Sequence, residues 1–190
     1  MSTWKRIVGI MLRPGDEWEL IAREDTSVDE LTRRFIVPLS LLAPIATVIG
    51  MKVFDRTWDA DAGYVVPADQ IFAAGAATLF TSIVSIFALA GIFVLIAPLY
   101  GSSRDYRAAL KVATYGAVPV MLAGATLLLP VMALVGLVGL CHSLFVWWLG
   151  VRCVLAVKRS HQAEFVGIAL LLLFVASTLA GAMASAIGLF

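Results

Sequence analysis

Residues 112–151 read VATYGAVPVMLAGATLLLPVMALVGLVGLCHSLFVWWLGV, forty positions without an Asp, Glu, Lys or Arg. A charge-free apolar run of about 18 residues or more is long enough to cross a bilayer as a helix. The segment reaches on to Val157, and its 46 residues would make about 69 Å of helix at about 1.5 Å per residue. A bilayer core is about 30 Å thick, so the segment must turn once. Pro130 is the expected turning point, with spans near 112–129 and 131–157.

Working outward, a span is expected at Phe35–Phe54, after Arg33 and Arg34, and a second at Ile71–Tyr100, long enough to tilt or protrude. The last covers Phe165–Phe190, beyond the final charge at Glu164. The composition agrees: 61% of the 190 residues are hydrophobic and 14% charged, against about 45–50% and about 25% in soluble domains. The expected fold is an all-α polytopic membrane protein with five transmembrane helices (residues 35–190), preceded by an amphipathic segment over residues 1–34.

The cations set the expected orientation. Residues 1–34, the second connection and the region after the fourth span hold twelve of the 14, while the opposite side has only Lys52 and Arg56. The positive-inside rule then places the N-terminus in the cytoplasm and the C-terminus outside. Residues 1–34 carry six cations and no sufficient apolar core, so they do not read as a secretory signal. Cys141 and Cys153 both fall in the fourth span, where a disulfide framework has no role. A net charge of +1 gives no bulk attraction to nucleic acid.

The N-terminal segment predicts a short amphipathic helix ended by Pro14 and Gly15, then a second beginning after Asp16. Both are expected to lie on the membrane surface or to dock a partner. In "SVDE", Ser27 and Glu30 form a capping-box pattern that starts the first span. Asp55, Asp59, Asp61 and Asp69 lack the spacing of a calcium loop, and read as a solvated outer loop. On the fifth span Ala176, Ala180, Ala184 and Gly188 recur every fourth residue, with Ser177, Gly181 and Ser185 beside them. Small residues at that spacing let helices approach closely, within one chain or between two copies in a homo-oligomer.

The chemistry-bearing candidates are few. "GSSRDYRAALK" at 101–111 brings Arg104, Arg107 and Lys111 to the cytoplasmic face, and Ser102 with Asp105 gives a second helix start. Lys158 and Arg159 join that face, and together these cations can hold anionic headgroups or a protein partner. In the third span Pro119 has no N–H to donate and opposes the carbonyl of Tyr115, which predicts a helix break beside Gly116. His142 is the ionisable side chain deep in the membrane, a functional-site candidate by default. Arg152 can snorkel outward, with Trp147 and Trp148 as interfacial anchors. No nucleophile elbow, zinc-binding helix, P-loop or dinucleotide fingerprint occurs, so neither an enzyme nor a cofactor or metal site is expected.

"RPGDEW" at 13–18, five spans with the N-terminus inside, and "TYGAVP" at 114–119 after a basic loop together resemble the Yip family. These are Rab/Ypt-interacting five-span proteins and their bacterial relatives. Pro14 and Trp18 fit the bacterial members' N-terminal pattern, and Tyr115 and Pro119 the family's tyrosine-to-proline element. Many members place the glycine before that tyrosine; here Gly116 follows it. "PLYGS" at Pro98–Ser102 lacks the aspartate and final proline of the eukaryotic motif and lies after the second span, so Tyr100 inherits no role. The Asn-free, Arg-rich chain looks bacterial, which implies a multi-pass protein of the inner membrane. The resemblance implies a non-enzymatic scaffold or organiser that binds membrane lipids or a protein partner. The alternative is a small channel or transporter using the Tyr115–Pro119 break and His142.

Overall fold

The computed structural model describes residues 2–58, 67–129 and 132–186, all of its regular structure helical. Two short helices, α1 (Thr3–Leu12) and α2 (Pro14–Arg23), precede five helices long and apolar enough to cross a membrane. These are α3 (Val28–Val53), α4 (Ala68–Tyr100), α5 (Tyr106–Leu128), α6 (Leu134–Cys153) and α7 (Arg159–Met183). The five-span fold expected from the sequence is therefore the one observed. Pro130, residues 59–66 of the acidic loop and the last stretch to Phe190, with Gly188, lie outside the described residues.

Local chemistry fixes the starts. The Ser2 hydroxyl accepts from the Lys5 N–H at the head of α1. Pro14 does not merely end α1; it occupies the first turn of α2, with Asp16 and Glu17 behind it and Arg23 in the last turn, as the helix dipole favours. The second helix thus begins two residues earlier than expected. The Ser27 hydroxyl accepts from the Glu30 N–H at 3.1 Å, and α3 starts there, seven residues before Phe35. Its Thr32–Ile36 stretch is π-helical, just ahead of Pro38, whose missing N–H leaves a gap in the ladder.

At α5 the expected start needs correction. Asp105 itself is the cap, accepting from the N–H groups of Arg107 (2.9 Å) and Ala108 (3.2 Å). The Ser102 hydroxyl instead donates to the Leu155 carbonyl, tying the α4–α5 connection to the α6–α7 connection.

Packing sorts the spans. α5 lies against α4 and α6 and touches α1 and α3; 61% of its most apolar window is buried. α7 meets α4 and α6, but from Phe174 to Met183 its residues are exposed. The densest core, around Trp18, Phe93, Leu110, Tyr115 and Phe165, sits at the end of the bundle that carries α1 and α2.

Candidate functional site

The N-terminal helices fold back onto the bundle as a hairpin. They do not lie free on a membrane surface, because their apolar and charged residues have partners in the spans. Trp18 and Ile21 are fully buried. The Trp18 indole donates to the Val146 carbonyl at 3.0 Å. Its ring covers Gly150, where a Cβ would stand 2.5 Å from Cζ2, so only glycine admits it.

Charge completes the dock. Arg6 is only 4% exposed; its Nη1 donates to Glu17 Oε1 at 2.6 Å, and its Nη2 pairs with Glu24. A guanidinium removed from water needs such partners, since an unpaired buried charge costs several kcal/mol, about 3–5. Lys111 belongs to the same network. It is buried and its Nζ donates to the carbonyls of Ile21 (3.4 Å) and Glu24, capping the C-terminal end of α2. The expectation that Lys111 offers its charge to a lipid or partner is thereby corrected.

Tyr115 lies directly beneath the hairpin. Its ring meets Phe35 edge-on at 4.9 Å and Trp18 at 6.3 Å, with the Arg6 guanidinium 6.0 Å from its centre. The next residue explains the glycine. A Cβ on Gly116 would fall 1.9 Å from Cδ1 of Trp147, whose indole donates to the Ala113 carbonyl at 3.3 Å. Trp147 is thus a buried wedge between α5 and α6, and not the interfacial anchor expected of it. α5 continues as α-helix through Pro119 to Ala123, so the expected break is absent. Just beyond the proline, the Val120 N–H reaches the Ser143 hydroxyl at 3.0 Å.

His142 stands apart from Tyr115. It lies eight residues before Gly150 on α6, about 12 Å along the helix from the Trp18 contact. Its ring neighbours Phe145 at 6.3 Å, and its Nε2 is buried without a hydrogen-bond partner among the described residues. Cys141 beside it is exposed.

Two features remain open at the hairpin end. One is a polar cavity of about 240 Å³ lined by Arg6, Glu24, Thr26, Arg34 and Tyr115. The other is a set of exposed cations, Arg104, Arg107, Lys158 and Arg159, of which Arg107 meets Asp25 at 3.3 Å. Those four share one face; Tyr115 and Pro119 are enclosed below it. Sequence reasoning missed Arg6, Glu17 and Glu24. The available signal was Arg6 set among Ile7 and Ile10 on one helical face, which an isolated surface helix would not present.

A family model described as the Yip1 domain matches residues 8–181, and the chain belongs to that family. Neither the curated proteins nor the solved structures contain a match to it.

Proposed function

We propose that this multi-pass membrane protein of the Yip1 domain family is a non-catalytic scaffold of a bacterial inner membrane. It contacts a protein partner or anionic lipids through the face that carries the hairpin. That face is read as cytoplasmic, because the cations of the chain gather there. The observation that carries the reading is the division of labour among them. Arg6 and Lys111 are consumed inside the fold, whereas Arg104, Arg107, Lys158 and Arg159 are exposed and available for contact.

The test is the Arg104→Gln/Arg107→Gln protein, extracted gently and examined by native mass spectrometry. Reduced retention of a partner or of anionic lipid, with topology intact by cysteine labelling, is the expected outcome. Unchanged retention of both defeats the reading. The unpartnered Nε2 of His142 favours a second reading, a small channel. It predicts solute flux in liposomes that falls in His142→Leu.

A further inference from the structure

Between the two connections on the hairpin end lies a concavity of about 660 Å³, lined by Leu99, Tyr100, Lys158, His161 and Glu164. Its walls are held by unusual backbone. Gly101 has φ of 72°, and Ala156, across the concavity, is the one described non-glycine residue with positive φ, at 55°. A left-handed alanine persists only where its surroundings hold it. Here the Ser102 hydroxyl clasps the Leu155 carbonyl, one residue away. The shape of the concavity is therefore built by a constrained pair of loops.

Its chemistry has two signs. Lys158 is exposed and makes no ion pair among the described residues, leaving its ammonium free. Glu164 gives one carboxylate oxygen to His161 Nδ1 at 3.1 Å, which leaves the other oxygen open. Tyr100 forms an aromatic wall, its ring 5.9 Å from that of His161 and 5.3 Å from that of Phe165. Leu99, at the rim, is 81% exposed, an apolar surface where a membrane-facing ligand would continue.

We propose that this concavity binds the headgroup of an ethanolamine phospholipid, phosphate against Lys158 and ammonium against Glu164. The inference rests on the reading that this face contacts lipid, and assigns it a specific site. A purely anionic headgroup would meet the Glu164 carboxylate, and a purely cationic ligand would meet Lys158. A zwitterion whose charges are a two-carbon link apart satisfies both. A primary ammonium donates hydrogen bonds to a carboxylate, whereas the quaternary choline group has none to donate. Tyr100 adds an aromatic face for the same cation. The ligand is a lipid because an acyl chain can run along Leu99 into the bilayer.

The experiment is native mass spectrometry of the delipidated full chain, titrated with phosphatidylethanolamine, phosphatidylcholine and phosphatidylglycerol of matched acyl chains. The ethanolamine lipid should be retained several-fold better than the other two. Lys158→Gln should lower its retention, and Glu164→Gln should reduce it to the choline level without lowering that of the glycerol lipid. Both side chains are exposed, so the variants should fold, which unchanged thermal unfolding would verify. Equal retention of ethanolamine and choline lipids, or a preference that survives Glu164→Gln, overturns the proposal. So does equal competition by soluble glycerophosphoethanolamine, since Leu99 would then contribute nothing. If the headgroup preference is missing while Arg104→Gln/Arg107→Gln still loses anionic lipid, the site falls and the face stands. Loss of neither lipid overturns both.

Discussion

α5 and α7 are both of membrane-spanning length, yet 61% of the most apolar window of α5 is buried in the protein and only 17% of that of α7. The buried helix is the less hydropathic of the two. In water the opposite order would hold. Here lipid already solvates apolar side chains, so burial gives them little, and close packing and hydrogen bonds decide which helix goes inside. α5 supplies such features: Gly116 beneath Trp147, Lys111 beneath α2, and the Val120 N–H on Ser143. The outer half of α7 supplies leucine, phenylalanine and methionine to the surroundings.

One substitution made in both helices tests that difference. Gly116→Ala places a methyl group 1.9 Å from the Trp147 ring, far inside contact distance. It should cost about 3 kcal/mol or more through overpacking and the displaced indole. A lower thermal unfolding temperature in detergent would record it, and Trp147→Ala in the same chain should recover part of the loss. An unchanged transition would mean that α5 and α6 do not approach as closely as described.

The hairpin above α5 should respond next. Arg6→Met leaves Glu17 buried without its partner, a loss of about 2 kcal/mol. This falls below the range for a fully enclosed pair because the hairpin can open and hydrate the carboxylate. Limited proteolysis should then cut more readily at residues 24–27, with the five spans intact. Trp18→Phe keeps the ring and removes only the donor to Val146. It should cost about 1 kcal/mol, the worth of one hydrogen bond, read by the same protease assay.

The sequence carried the spans because charge is scarce and its absence over twenty residues has one physical meaning. It also carried the Ser27 cap, a local bond between residues three apart. What it could not carry depends on partners far along the chain. Trp18 bonds Val146, and Lys111 reaches Ile21 and Glu24; no spacing in 1–34 announces either. The amphipathic pattern of α1 and α2 was legible, but lipid and the end of a helical bundle accept the same apolar face. "TYGAVP" was singled out correctly as unusual, yet its reason lies in Phe35 and Trp147, against which Tyr115 and Gly116 pack. Of the expected contact cations, Lys111 alone has gone inside, because it sits one turn deeper on α5 than Arg107.

The smallest effect belongs to Gly181→Ala, the counterpart of Gly116→Ala on α7. A Cβ at Gly181 would meet nothing within 4 Å. Alanine is the better helix former by about 1 kcal/mol, so the exchange should leave the unfolding temperature unchanged or raise it slightly. A fall would require a surface close to Gly181 that a single chain does not provide. The candidate is a second copy, packed along the row of Ala176, Ala180, Ser177 and Gly181. Sedimentation of the same variant separates the two cases. An assembly that dissociates with the methyl group places α7 at a protein contact, and its exposure then describes only the isolated chain. An unaltered assembly state with unaltered stability leaves that half of α7 facing lipid, as its leucines and phenylalanines suit.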